Sequence, residues 1–205
     1  MEIQFYGANC VRITSKKASI VVDDLTGMVA KPGDVALFTG MHDAPKVDVK
    51  IAFDQPGEYE VSDISIHGVG ARAHTAEDAN DRSSTMYKVI AEDVRVVILG
   101  HVYPDLNEQQ LEALGATDVL LVPVGGGGYT LDAVGALNLI KEIKPMYIIP
   151  THYADKSVNY EVPQASLQDV LKELAMEPKE TVPRIKLKAS ELLGEPNQLI
   201  ILERQ

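Results

Sequence analysis

Five histidines are the residues of this chain best placed to do chemistry: His42, His67, His74, His101 and His152. His101 follows the apolar run Val96 to Leu99, and His152 follows Met146 to Ile149. Runs of that length suit strands buried on both faces. In an open parallel sheet, ligands bind in the crevice beyond the carboxyl ends of the strands. Two histidines past the ends of strands running the same way are therefore expected at one rim. His42 follows the run Val35 to Phe38, and His74 follows the strand expected around Ile64 to Val69. His67 shares a face with Ser65 in that strand and reads as an ordinary satisfied side chain. Neutral imidazole is a common ligand for zinc, iron, copper or nickel. The other four histidines are thus candidates for one metal site, although a lone histidine is more often a plain surface or core residue.

The elements that must carry these residues differ between the two halves. The first ninety residues read as short strands at Ile3 to Tyr6, Val11 to Ile13, Ile20 to Val22 and Val35 to Phe38. Strands at Glu58 to Val61, Ile64 to Val69 and Met86 to Ile90 complete that half. Gly7, Lys16-Lys17, Pro45 and Pro56-Gly57 punctuate them. The second half alternates buried runs (Val96 to Leu99, Val119 to Val124, Met146 to Ile149) with helical periodicity. Asn107 and Gln110 have capping-box spacing before Leu111 and Leu114. Val134, Leu137, Ile140 and Ile143 mark a helix starting near Thr130, and Ser166 and Asp169 begin a third. A strand over Leu199 to Leu202 closes the chain. Strand, helix, strand, helix, strand predicts a parallel, right-handed αβ unit. No linker or repeat separates the halves, so residues 1–205 are expected to form a single domain.

The run Pro123 to Leu131 holds four consecutive glycines before a helix. It reads first as a tight strand-to-helix turn and second as a loop whose N–H groups approach a ligand. No Gly-Lys-Ser/Thr follows, which excludes a Walker-type phosphate loop. Gly127, Gly128 and Tyr129, with Tyr153 after His152, are the candidates to line a substrate loop.

These segments resemble the metallo-β-lactamase superfamily, most closely its small prokaryotic metal-dependent hydrolases similar to L-ascorbate-6-phosphate lactonase. The resemblance rests on Gly7-Ala8-Asn9-Cys10, Pro56-Gly57-Glu58-Tyr59-Glu60, the Pro123 to Leu131 stretch and Pro150-Thr151-His152-Tyr153, in that order. It implies an α/β fold, a four-layer αβ/βα sandwich with the metal site at one edge between two sheets. The superfamily's His-x-His-x-Asp-His run matches Gly40-Met41-His42-Asp43-Ala44-Pro45, where only His42 is a ligand type. His74 and His152 match two further ligand positions. The bridging aspartate of a Leu-Gly-Asp sequence is replaced in Leu99-Gly100-His101, and the early Gly-His-Ser-Cys has become Gly7-Ala8-Asn9-Cys10.

Two cations held close together need an anionic bridge to offset their repulsion. Without it, the resemblance implies at most a mononuclear site of His42, His74, His101 and His152 around one divalent ion, zinc first. Three imidazoles leave a fourth zinc position open to water, and zinc lowers the pKa of that water to about 7. Asp23 and Asp24 match the aspartate that supports a ligand histidine by accepting its outer N–H. No residue is assigned as a catalytic acid or base. The expected activity is hydrolysis of a small ester, lactone, amide or phosphate ester. The alternative is a metal-free or inactive descendant that uses the fold for binding.

Composition narrows the partners. Thirty acidic against 19 basic residues leave a formal net charge of -11, which disfavours a grip on nucleic-acid phosphates. No apolar run approaches the roughly 20 residues needed to cross a bilayer. A single cysteine, Cys10, forms no internal disulfide and points to a reducing, cytoplasmic setting. A homo-oligomer stays open, and the small-molecule ligand is not named by the sequence.

Overall fold

The computed structural model describes residues 1–31, 33–40, 49–192 and 194–205. Its first half builds β1 (Glu2–Gly7), β2 (Cys10–Thr14), β3 (Ser19–Val22), β4 (Val35–Leu37) and β5 (Ile51–Phe53). β6 (Gly57–Val61), β7 (Ile64–Ala71) and β8 (Ser84–Ala91) follow. The second half adds β9 (Val94–Ile98), α1 (Glu108–Leu114), β10 (Val119–Pro123), α2 (Ala133–Ile143), β11 (Tyr147–Thr151) and α3 (Leu167–Leu174). It ends with β12 (Pro178–Val182), β13 (Ile185–Lys186) and β14 (Gln198–Leu202).

Two sheets result. One has six strands in the order β13-β1-β2-β3-β4-β5, the other eight in the order β12-β14-β11-β10-β9-β8-β7-β6. The expected parallel unit is there: β9, β10, β11 and β14 all run the same way. β10 explains why such strands read as continuous apolar runs. Val119 and Leu121 face the other sheet, packing with Ile20, Leu37 and Ile98. Leu120 and Val122 face the helices, packing with Leu114, Leu139, Ile140 and Val170. Both faces lose water, so alternation disappears. Each fully buried side chain of this kind contributes roughly 1.5–3 kcal/mol.

The outer face of the six-stranded sheet is covered by the loop after β3, where Val29 and Met28 pack on Cys10 and Val21. Near the future site the sheets are stitched together. Thr39 O accepts hydrogen bonds from Thr85 N at 2.9 Å and Ser84 Oγ at 2.8 Å. Tyr87, fully buried, donates its hydroxyl to Phe38 O at 3.2 Å and Phe53 O at 3.1 Å.

Helix boundaries follow local chemistry. α1 carries the reciprocal capping box of Asn107 and Gln110. α3 starts after Ser166, whose hydroxyl accepts from Asp169 N. α2 begins at Ala133, three residues after the start near Thr130 that periodicity suggests. The Asp132 carboxylate accepts from Gly135 N at 2.8 Å and caps the helix there, while Leu131 turns into the core. β12, a largely exposed strand of sequence Pro-Lys-Glu-Thr-Val, has no apolar alternation and exists through pairing with β14. Among the described residues no helix is long and apolar enough to cross a membrane.

Candidate metal and substrate site

Three of the candidate histidines lie just past strand ends. His74 follows β7, His101 follows β9 and His152 directly follows β11. His42 lies outside the described residues. The rings of His101 and His152 meet edge to face, with centroids 5.1 Å apart. Two imidazoles on one tetrahedral zinc, with Zn–N about 2.1 Å and roughly 1.1 Å from nitrogen to ring centre, would have centroids about 5.2 Å apart. The observed spacing fits that pair. His74 stands on the other side: it lines a second cavity of about 170 Å³ with Gly40, Ser83, His101 and Tyr129. Among the described residues, no three histidine, cysteine, aspartate or glutamate side chains stand close enough to hold one ion.

Hydrogen bonds assign the tautomers, and all three agree. Asp23, 4% exposed, accepts the Thr39 hydroxyl at 2.6 Å and Thr39 N–H at 2.8 Å. The hydroxyl has one proton, and the carboxylate holds it. At the 3.4 Å contact between Thr39 Oγ1 and His101 Nδ1, the imidazole must therefore donate. His152 Nδ1 faces Gln164 Oε1 at 3.2 Å, while Gln164 Nε2 donates to Val162 O and so fixes the amide orientation. His74 Nδ1 faces the Val102 carbonyl at 3.2 Å. In each case Nδ1 carries the proton and Nε2 is the lone-pair nitrogen, the arrangement a metal-ligating histidine needs.

Asp23 accepts the Thr39 hydroxyl that lies against His101 Nδ1. Asp24 does something else: it accepts Met28 N at 2.7 Å and Val29 N at 3.1 Å and shapes the loop after β3. The Thr39 link had no signal in the sequence, because a threonine at a strand end is common. Gln164, eleven residues beyond Tyr153, was equally hidden in a loop.

His101 and His152 open onto a cavity of about 210 Å³ also lined by Ala8, Asn9, Asp23, Tyr129, Tyr160 and Glu161. Tyr129 lines both cavities and touches both rings, with centroids 5.2 Å from His101 and 5.8 Å from His152. Tyr160 closes the other side, 5.3 Å from His152. Burial, then Glu161 and Asp23, raise the Tyr129 phenol above its ordinary pKa, and burial pushes Tyr160 up to about 12. Both stay protonated at neutral pH. Of the other loop candidates, Gly127 and Gly128 are exposed with φ +67° and +73°. Their loop is tied internally by Gly126 N to Leu131 O and Thr130 N to Gly126 O. Tyr153 packs on Phe5 in the core and offers only its carbonyl, to the Tyr160 hydroxyl at 2.7 Å.

The backbone here is held in an unusual shape. Ala8 and His152 both adopt left-handed φ, +46° and +52°, and His152 N donates to Ala8 O at 2.7 Å. Left-handed non-glycine residues persist where surroundings enforce them, often at functional sites. Here they turn Asn9 and His152 toward one cavity.

Sequence comparison decides the lineage. Residues 2–152 match the β-lactamase superfamily domain. The chain belongs to the metallo-β-lactamase superfamily. A structure from Thermotoga maritima, assigned as a Zn-dependent hydrolase of that superfamily, superposes with TM-score 0.77 at 25% identity, covering 100% of this chain and 99% of that one. A metallo hydrolase from Ignicoccus hospitalis shares the fold at TM-score 0.64 and 15% identity, covering 99% and 94%. A metal-dependent hydrolase of Thermoplasma acidophilum is 46% identical over 48 residues, 22% of this chain and 21% of the relative. The match therefore spans about a fifth of that relative's length. The two-sheet fold is the sandwich expected from the sequence.

Burial sets a pH dependence. It holds the His152 imidazole below its ordinary pKa, so the folded chain keeps it neutral where the unfolded chain binds a proton, below about pH 6.5. The unfolded state then carries more protons, and stability falls as pH drops through that value. Urea unfolding of metal-free protein should show a loss of up to about 1.4 kcal/mol per pH unit from this group. The slope should be shallower in His152→Gln; identical slopes in the two proteins would show that His152 does not contribute.

Proposed function

We propose that this superfamily member is a metal-dependent hydrolase of reduced type. One divalent ion, zinc first, is held by Nε2 of His101 and His152, with His74 or His42 as the further donor. His42 lies outside the described residues. The observation that carries this reading is the ring orientation: His74, His101 and His152 each place Nδ1 against a protein oxygen, which makes Nε2 the lone-pair nitrogen of the ring. When bound, such an ion supplies an acidified water able to attack a small ester, lactone, amide or phosphate ester. The chain's own residues orient the ligand rings, and Tyr129 and Tyr160 wall the cavity against bulk water.

Elemental analysis and zinc titration test this. About one zinc per chain is expected, with a raised melting temperature, and His152→Ala should lower the affinity by at least about 100-fold. Less than about a tenth of an equivalent, with no change in melting temperature on adding zinc, overturns it. A second reading, an inactive descendant that binds without turnover, draws on the failure of three described donors to converge. Hydrolysis of simple esters that disappears in His152→Ala would exclude it.

A further inference from the structure

We propose that the cavity lined by Arg72, Arg82 and Tyr103 binds a small oxyanion, the carboxylate or phosphate group of a ligand. This cavity contains none of the rim histidines, and its occupancy does not depend on the hydrolase reading.

Charge is the first ground. In a chain with 30 acidic and 19 basic residues, carboxylate partners for an arginine are plentiful. Arg95, Arg184 and Arg204 each take one, pairing with Asp118, Glu2 and Asp155. Arg72 and Arg82 make no ion pair among the described residues. Yet both line one cavity of about 170 Å³. The acids of the adjoining loop are engaged elsewhere. Asp81 accepts Ala73 N at 3.0 Å, Ser83 N at 3.1 Å and the Ser83 hydroxyl at 2.6 Å. Asp78 accepts Asn80 N at 2.8 Å. Asp105 lines the cavity but is exposed and bonds to neither guanidinium. Two cations sharing a concavity repel each other, and a bound anion offsets that repulsion.

Donor geometry is the second ground. Both guanidiniums are already held in place, which lowers the entropic cost of gripping a ligand. Arg72 stacks 3.7 Å over the Tyr103 ring, and its Nε and Nη2 donate to Ala76 O at 3.1 and 2.6 Å. Its Nη1 is the nitrogen left over. Arg82 is pinned from the other end: Nη1 donates to Ala79 O at 3.2 Å and Asp81 O at 2.6 Å. That leaves the Nε–Nη2 edge, the fork that grips a carboxylate or phosphate through two parallel hydrogen bonds. Asn107 lines the same cavity; its Oδ1 caps α1, and its Nδ2 is the group left to donate. Gln110 is committed, with Nε2 on Gly70 O and Oε1 on Asn107 N. Tyr103 joins this cavity to the rim, since the ring beneath Arg72 has its centroid 6.1 Å from that of His74.

Acetate and methyl phosphate test the proposal, titrated into the full chain freed of metal, with sodium chloride at matched ionic strength as the blank. Arginine Nε–H and backbone amide signals are followed by NMR. At least one probe should saturate, shifting Arg82 Nε–H more than Arg72 Nε–H, which stays on Ala76 O, and moving the amides of Ala79 and Tyr103. The tighter probe identifies the ligand as a carboxylate or a phosphate. Arg82→Gln, an exposed change, should weaken it at least about tenfold, the worth of a hydrogen bond to a charged group. Arg184→Gln removes the same charge elsewhere on the surface and should leave the affinity unchanged. Shifts no larger than those from chloride overturn the proposal, as do shifts centred on the amides of His101 and His152. Equal weakening by the two substitutions reduces the effect to net charge and overturns it too. If Arg82→Gln does not fold, the Arg82 Nε–H signal of the parent decides alone. Because every titration is metal-free, failure of zinc to bind defeats the hydrolase reading and leaves this site standing.

Discussion

Gly125→Ala will lower the melting temperature by about 6–12 °C and disturb the site with it. A Cβ at this position would sit 2.0 Å from the His152 carbonyl oxygen and 2.3 Å from Gln164 Oε1. The first neighbour is backbone at the end of a buried strand and cannot swing away. The second is the acceptor that holds the His152 tautomer. The chain beyond it is also pinned, since Ala165 N donates to Gly125 O at 2.8 Å. Relief needs β10 and β11 to part at their carboxyl ends. Overpacking of this kind costs about 3 kcal/mol or more, and each kcal/mol is worth roughly 2–4 °C in a chain of this size. Gly128→Ala is the internal control. Its φ of +73° is left-handed, but nothing lies within 4 Å of the added carbon. Backbone strain alone, about 1–2 kcal/mol, should apply there. Thermal unfolding of the two variants should therefore separate them clearly, and equal losses would remove the steric explanation.

Thr39→Val should have the second largest effect, on both stability and metal affinity. Valine keeps the shape and removes the hydroxyl. Asp23, buried, then loses the 2.6 Å bond to its carboxylate, and His101 Nδ1–H loses the oxygen it faces. Hydrogen bonds to charged groups are worth about 1.5–3 kcal/mol, and the group left behind is desolvated. A loss of about 2–4 kcal/mol is expected. Residues that orient a ligand imidazole typically change metal affinity 10–100-fold, so zinc should bind about that much more weakly. Thr39→Ser, which keeps the hydroxyl, should restore most of the affinity. Zinc titration of the three proteins checks this, and equal affinities in valine and threonine forms would show that Asp23 does not act through residue 39.

How much could be read before folding differs between elements. The central strands and the three helices were legible because burial on two faces leaves apolar runs and burial on one face leaves helical periodicity. Asn107 and Ser166 marked helix starts correctly, since capping is a contact between residues three apart. Residues 178–182 gave no such mark. Their strand is mostly exposed and is stabilised by hydrogen bonds to β14, a partner some twenty residues away. Within the site, His74, His101 and His152 were legible as residues just past strands. Tyr129 was legible as the end of the glycine run. Asn9, Thr39, Tyr160 and Gln164 were not, because nothing in their local sequence separates them from ordinary loop and turn residues. Tyr153 shows the converse: its neighbour His152 enters the rim, and Tyr153 itself packs on Phe5.

By itself, the order of residues determined which strands run parallel and which end of the sheets bears His74, His101 and His152. Those properties follow from local periodicity, strand direction and residue type, all written along the chain. Only the tertiary structure decided that His101 and His152 meet ring to ring while His74 stands apart. It alone also decided which ring nitrogen faces a protein oxygen, and which walls carry charge. Those depend on angles and hydrogen-bond partners contributed by segments as distant as Asn9 and Thr151. Such partners are chosen when two sheets close on each other, and no single stretch of sequence contains both sides of the contact.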